Sequence, residues 1–320
     1  MKPQPPPALD ALLRSAGAAW PGMRLAAPDI RRWLAGNGVP GVWSFNSGLS
    51  GPHVVLVALT HGNEIAGAVV LDRLLQEALR PARGRLTLVF ANLDAFSRFD
   101  AQDPTASRFL EEDLNRLWDR AVLDSPRRSS ELRRARALRP VLDSADVVLD
   151  LHSMLWPSDP LYLAGASEES VPLAVALGEP PLVIADQGHE AGQRLIDYAA
   201  TRGRRSLILE GGWHWEPETV ANMEHAARRL LALTGLVPGT VAPLPQPRFA
   251  RVTQRVTARS PDFSFVQPWR GGIVIPEAGT LIALDGQEEV RTPHSECLLV
   301  MPMLLPQPGQ TAVRLARIEE

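Results

Sequence analysis

The sequence predicts an α/β protein with a small all-β unit in its C-terminal part. Three observations predict it. Four apolar runs, at residues 54–59, 86–91, 147–151 and 206–209, are aliphatic and β-branched without alternation, the pattern of strands buried on both faces, as in a parallel sheet. Segments with helical apolar spacing separate them. After Gly235 the composition changes: Pro238, Pro243, Pro245 and Pro247 mark a linker, and short β-type runs with turn residues between them follow. A chain of 320 residues has room for one large domain and one small one. The expected division is 1–240, with 1–50 as a lead-in, and 245–320.

The elements follow in order. A proline-rich start gives way to short helical patterns at 9–13 and 30–34 and an edge strand at 42–45. The run 54–59 leads into His61, Gly62, Asn63 and Glu64, where glycine and asparagine allow a sharp turn. Ile65, Val69, Leu74 and Ala78 then form the apolar face of a helix over about 64–79. The second run ends in Asn92, and 93–120 reads as irregular and polar. A helix over 129–142 has Ser129 or Ser130 as its cap. The third run ends in His152 and Ser153. Shorter strands at 161–164 and 182–185 are separated by a helix. The fourth run ends in Glu210, Gly211 and Gly212. Pro217 then opens a helix with Val220, Met223, Ala227, Leu230 and Leu231 at helical spacing and Gly235 just past its end. Strands in the tail are expected at 250–257, 272–275, 280–283, 298–301 and 312–316.

Composition excludes several functions. A net charge of −3 gives no basic field for nucleic acid. The arginines of 127–139 read as the solvated face of a helix rather than a phosphate site. Cys297 is the only cysteine, which excludes an intrachain disulfide and a thiolate metal cluster; it reads as core. Lys2 is the only lysine, which excludes a P-loop or Schiff-base lysine. No apolar run approaches membrane-spanning length, and the first residues lack a signal peptide's apolar core and cleavage site. The expectation is a cytoplasmic enzyme with no membrane or nucleic-acid partner; a homo-oligomer is compatible with the sequence.

Three runs end in residues that bind or serve a metal: His61 with Glu64, His152, and Glu210. His-x-x-Glu alone suits a capping glutamate and a hydrogen-bonded histidine as well. If the strands are neighbours in a parallel sheet, their carboxyl ends share one crevice. Two imidazoles, one carboxylate and a water make the open tetrahedral site of a catalytic zinc, leaving Glu210 to move the water's proton to the leaving nitrogen. The polar stretch contributes Arg108, Asp113, Asn115 and Arg116. An arginine near the carbonyl stabilises an oxyanion, and an arginine beside an asparagine clamps a carboxylate. A surface loop with salt bridges is the plainer reading of the same stretch.

With HGNE at 61–64, Arg108 followed by DLNR at 113–116, DLHS at 150–153 and a strand-terminal Glu210, the sequence resembles the succinylglutamate desuccinylase/aspartoacylase family, a branch of the zinc carboxypeptidase-like hydrolases. The resemblance covers about 54–235. It implies a mixed, mostly parallel central sheet flanked by helices, a small C-terminal β domain that can narrow the entrance, and one zinc ion per chain. By position, His61, Glu64 and His152 match the zinc ligands and Glu210 the general base and acid. Arg108 matches the residue that polarises the carbonyl, and Asn115 and Arg116 the pair that holds the substrate carboxylate. Asp113 matches the carboxylate orienting the first histidine. The implied reaction is zinc-dependent hydrolysis of an amide in an N-acyl amino acid or similar small carboxylate-bearing substrate. The alternative is a zinc carboxypeptidase acting on short peptides, because Asn115 and Arg116 suit a free C-terminus equally. The acyl group is open.

His53 reads as a surface residue, His189 as a loop histidine, His225 as structural, and His294 as part of the β unit. Asp150 shares a side with His152 by strand alternation. Tyr162 and Tyr198, the only tyrosines, fall in no motif. Trp213, His214 and Trp215 after Glu210 have no counterpart in the family pattern.

Overall fold

Unalternating apolar strands must be covered on both faces, and the structure shows how. A computed structural model describes residues 23–156, 158–165, 167, 169–188, 191–303 and 305–319. The chain divides into two units, one of residues 25–154 and 160–249, the other made chiefly of 250–320 with 155–159.

The larger unit holds seven strands: β1 (Val42–Asn46), β2 (His53–Ala58), β3 (Arg85–Phe90), β4 (Val147–Met154), β5 (Leu161–Gly165), β6 (Leu182–Ala185) and β7 (Arg205–Trp213). Their order is β1-β3-β2-β4-β7-β5-β6. The central four, β3, β2, β4 and β7, are mutually parallel. β1 runs antiparallel to β3 and β5 antiparallel to β7, while β6 is parallel to β5. The sheet is mixed and mostly parallel, as expected. Leu88, Leu56, Leu149 and Leu207 stand in register across the centre, and none is exposed.

The helices are α1 (Ile65–Gln76), α2 (Leu93–Phe96), α3 (Arg120–Leu123), α4 (Ser130–Asp143), α5 (Val171–Leu177), α6 (Leu195–Thr201) and α7 (Pro217–Leu233). α1 packs against α7, and one apolar cluster joins α1, α5 and α7 to alternate strand residues such as Leu56, Leu149, Leu151, Leu207 and Leu209. Val55, Val148 and Ile208 lie outside that cluster yet are buried, so they face the other way, the side that α6 contacts through β4 and β7. A Cβ on Gly67 would come within 3.0 Å of the Ala58 and Leu151 side chains, so glycine lets α1 lie directly on the strands. α1 stops at Gln76, short of the expected 79, because Ala78 sits at φ +51°. α7 matches its expected bounds, with Gly235 at φ +69° beyond its end.

Three features differ from expectation. His53 begins β2 and is buried, with Nε2 2.8 Å from the Thr87 hydroxyl and Nδ1 2.9 Å from the Ser144 carbonyl. The arginines of 127–139 divide: Arg127, Arg128 and Arg133 are exposed, as expected, whereas Arg134 and Arg136 are half-buried and turned to backbone carbonyls. Arg134 donates to the carbonyls of Phe90 and Ala91, and Arg136 to those of Leu123, Ser125 and Arg127. They satisfy backbone acceptors where strand β3 and the loop before α4 run out of partners. The region 93–120, expected to be irregular, contains α2 and a 3-10 turn at Leu114–Arg116, and α3 begins at its end.

The smaller unit is all β. β8 (Arg248–Thr257), β14 (Thr311–Glu319), β13 (Cys297–Val300) and β10 (Val274–Ile275) lie side by side. β12 (Glu288–Arg291), β11 (Leu281–Asp285) and β9 (Phe263–Phe265) form a separate antiparallel sheet. Cys297 is buried in the core of this unit with Ile282, Leu299, Val313 and Leu315, and burial pushes its thiol up to about 11. Among the described residues no helix is long and apolar enough to cross a membrane.

Candidate metal centre and active site

The site is built where parallel strands end. After β2 the chain passes through Leu59 at φ +59° into His61 and Gly62. A Cβ on Gly62 would fall within 2.6 Å of the backbone of Ala95, Phe96 and Ser107, so only glycine fits, and its N–H donates to the Arg108 carbonyl at 3.1 Å. The loop bearing Arg108 is thereby fastened to the loop bearing His61. Glu64 stands at the N-cap of α1 but makes no side-chain cap bond. Its carboxylate instead turns inward, accepting the Ser153 N–H at 3.0 Å.

His61, Glu64 and His152 converge. Nδ1 of His61 lies 2.7 Å from one Glu64 oxygen and Nδ1 of His152 lies 3.1 Å from the other. The three ligand atoms fall within 4.8 Å of one another, and all three residues are buried. Two atoms on one tetrahedral zinc stand about 3.3 Å apart or a little more, so the cluster fits one ion with a small adjustment. The remaining nitrogens are held by carboxylates. His152 Nε2 is 2.9 Å from Asp150, whose other oxygen accepts the Thr60 hydroxyl at 2.8 Å. His61 Nε2 lies 3.0 Å from Asp113 and 2.9 Å from the Arg108 guanidinium. One nitrogen does not donate to the first and accept from the second at once. With Nδ1 turned to a cation, Nε2 keeps its hydrogen and donates to Asp113. The carboxylates Glu64 and Asp113 are met by the guanidinium of Arg108, Asp113 also by that of Arg116, and Asp150 by the His152 ring.

The electrostatics favour ionised ligands. Burial alone pushes the Glu64 carboxyl up, but His61 and His152 beside it hold it well below the usual carboxylate range. Asp113 follows the same logic: burial raises it, and His61 and Arg108 hold it well down.

The loop of 108–116 carries the polar groups. Arg108 reaches Glu64 at 3.2 Å and Asp113 at 3.2 Å. Asn115 is buried; its Oδ1 accepts the Leu195 N–H at 2.9 Å at the start of α6. Arg116 Nη1 donates to the Asn115 carbonyl at 2.7 Å. The loop's shape depends on a residue that sequence reading missed. Glu131 is fully buried in the first turn of α4. It accepts the backbone N–H groups of Leu110, Glu111 and Glu112 and the Asn92 side chain. As the acidic residue of a helix's first turn it gave no signal, because its partners lie 19 to 39 positions earlier.

Glu210 is buried and pairs in register with His152 on the neighbouring strand. β4 and β7 both run past these residues, to Met154 and Trp213. Between His152 and Met154 there is one intervening residue, whereas between their partners Glu210 and Trp213 there are two; β7 carries a bulge at Gly211 and Gly212. Arg108 and Arg194 both face Glu210 electrostatically. His214, beyond the bulge, shares a 2.6 Å hydrogen bond with the Ser153 hydroxyl.

The remaining residues are placed as follows. His189 lies outside the described residues. Tyr162 is in the core with its hydroxyl donating to the Glu179 carbonyl, and burial raises its pKa. The Tyr198 hydroxyl donates to Asp143. His225 is at the surface, 3.4 Å from Glu179. His294 shares a hydrogen bond with Thr253 in the smaller unit.

The succinylglutamate desuccinylase/aspartoacylase catalytic domain matches residues 50–234. The chain belongs to the succinylglutamate desuccinylase/aspartoacylase family. Solved structures of family members share the fold. The succinylglutamate desuccinylase of Vibrio cholerae superposes with a TM-score of 0.69 at 19% identity, over 88% of this chain and 86% of that one. The succinylglutamate desuccinylase/aspartoacylase of Rhodobacter sphaeroides gives 0.67 at 19%, over 85% and 87%. The ectoine utilization protein EutE (DoeB) of Ruegeria pomeroyi, in a product-bound structure, gives 0.66 at 19%, over 91% and 92%. No curated protein matches the sequence. Family membership supports hydrolase activity of the deacylase type.

Proposed function

We propose that this protein is a cytoplasmic, zinc-dependent deacylase that hydrolyses the amide bond of an N-acyl amino acid or a similar small substrate bearing a carboxylate. The observation that carries the proposal is the cluster of His61, Glu64 and His152 with Glu210 in register on the adjacent strand. His61, Glu64 and His152 hold the ion. Zinc, when bound, polarises the scissile carbonyl and lowers the pKa of water to about 7.

This chain's residues do the rest. Glu210 takes a proton from the attacking water and delivers it to the leaving nitrogen. Arg108 donates to the oxygen on which negative charge develops. Asn115, whose Oδ1 is already used by Leu195, offers its Nδ2 with the Arg116 guanidinium to the substrate carboxylate. Asp113 and Asp150 fix the two imidazoles.

Replacing Glu210 with glutamine tests the proposal. It lowers kcat by about 10²- to 10⁴-fold while zinc content stays at one per chain. Full turnover in Glu210→Gln overturns the role of Glu210. The second reading is a carboxypeptidase, favoured because a clamp of Asn115 and Arg116 accepts a peptide C-terminus equally well. N-acyl amino acids assayed beside short peptides separate the two.

A further inference from the structure

His214 stands four residues past Glu210 and has no part in the scheme above. It is 4% exposed. Its N–H donates to the Met154 carbonyl at 2.8 Å, and its Nδ1 shares the 2.6 Å hydrogen bond with Ser153. Trp215 next to it sits at φ +61°. The Trp215 indole donates to the Asn63 carbonyl at 2.9 Å, and its ring lies 5.2 Å from the imidazole. His214 is thus fastened both to the end of β4 and to the loop of the metal cluster. Its Nε2 has no hydrogen-bond partner among the described residues. A buried imidazole ordinarily satisfies both nitrogens. The charged groups around it are Glu64, Arg108, His61 and His152, and burial pushes it down to about 4, so the ring is neutral at physiological pH.

The side on which it stands is set by strand alternation. Leu149 and Leu151 face the cluster of α1 and α7, so Ser153 points to that side and His152 to the other. His214 is bonded to Ser153, and Trp213 before it accepts the Thr219 hydroxyl of α7. Asn115 is bonded instead to the start of α6, across the sheet. A substrate with its carboxylate at Asn115 and Arg116 and its scissile carbonyl at the metal cluster extends its acyl group towards His214.

We propose that His214 is a specificity-determining residue that hydrogen-bonds, through Nε2, an oxygen of the acyl group beyond the scissile carbonyl. Resting on the deacylase reading, this deepens it: the preferred acyl groups carry a hydroxyl or carboxylate oxygen further along the chain. Whichever way the Ser153 hydroxyl faces, Nε2 is the valence left over for substrate. Ser153 is a positioning residue that fixes the ring.

The test compares wild type with two variants. His214→Asn keeps an amide where Nδ1 meets Ser153 and removes only the group at Nε2; His214→Gln carries an amide near the Nε2 position. Substrates share one amino-acid half and differ in the acyl group: butanoyl, 3-hydroxybutanoyl and succinyl. Wild type is expected to favour one or both oxygen-bearing acyl groups over butanoyl in kcat/KM. The ratio is expected to fall at least about tenfold in His214→Asn and to be partly restored in His214→Gln. The hydroxyl and carboxylate arms tell which oxygen is read. No preference in wild type, or a wild-type ratio in His214→Asn, overturns the proposal. Calorimetric titration of the zinc-loaded protein with free succinate, 3-hydroxybutanoate and butanoate gives a readout without turnover. Tighter binding of an oxygen-bearing acid, lost in His214→Asn, upholds the proposal even if no amide is cleaved, whereas equal binding overturns it. Failure of the deacylase reading shows separately, as wild type cleaving none of the substrates.

Discussion

Asp150 has no exposed surface, and both its oxygens are used, one by the Thr60 hydroxyl and one by His152. A carboxylate there makes the His152 ring a better ligand and stops it turning. Asp150→Asn is expected to weaken zinc binding about 10- to 100-fold, measured by competition with a chromophoric chelator, with the circular dichroism spectrum unchanged. His53, on a distant part of the same sheet, governs stability instead. Burial holds its pKa below the ordinary 6.5, against a smaller upward pull from the Ser144 carbonyl. The folded chain therefore resists a proton that the unfolded chain accepts. Its contribution is complete above pH 6.5 and is lost as pH falls below that, with a slope of up to about 1.4 kcal/mol per pH unit. Thermal unfolding followed from pH 7.5 to 5 is expected to show a falling Tm, with a shallower slope in His53→Gln. That histidine was misread as exposed because its partners, Thr87 and Ser144, are brought to it only by the pairing of β2 with β3 and the approach of α4's end. Arg134 and Arg136 escaped for a similar reason: a carbonyl that needs a donor leaves no trace in sequence.

At the scale of elements, the loop of 108–116 is rigid because α4 begins with Glu131. Its carboxylate accepts three consecutive backbone N–H groups, of Leu110, Glu111 and Glu112. Glu131→Ala leaves these donors without it, at a cost of about 1–3 kcal/mol for each buried group left unpaired. Unfolding in urea is expected to show a loss of at least about 2 kcal/mol. Glu131→Gln keeps an acceptor and is expected to recover part of it. If Arg108 acts at the scissile carbonyl, kcat falls with stability in the same order. Elements whose apolar spacing is long and unbroken, such as β2, β4 and α7, were legible because burial on a fixed face dictates their pattern. α6 was not, since it has only seven residues and its N-cap is Arg194, tied to Asp197, rather than a usual capping residue. His61, Glu64 and His152 could be singled out because a strand's end is readable; of the partners that orient the two imidazoles, Asp150 follows from strand alternation in β4, whereas Asp113 comes from a turn that the apolar pattern does not mark.

Across the whole molecule, the metal cluster joins segments nearly a hundred residues apart, from the turn after β2 to the end of β4. An ion that binds this arrangement and not the unfolded chain stabilises the fold. The gain is about 2.7 kcal/mol at a hundredfold excess over Kd and about 4.1 kcal/mol at a thousandfold. Dialysis against a chelator is expected to lower Tm, and added zinc to restore it in a concentration-dependent way. A Tm indifferent to both would mean that the cluster holds no ion.

The doubled glycine after Glu210 sets a parity. With two residues on β7 opposite one on β4 between the paired positions, every side chain after the bulge points opposite to where an unbroken strand would send it. Excising Gly211 would restore one-to-one pairing and leave Trp213 opposite Met154 and His214 beside Ser153; straightening the strand with both glycines kept would instead exchange Trp213 and His214, putting an indole where the imidazole meets Ser153. The bulge, by absorbing the extra glycine, thus keeps the polar imidazole rather than the apolar indole on the side of Ser153, without touching the residues that grip the ion.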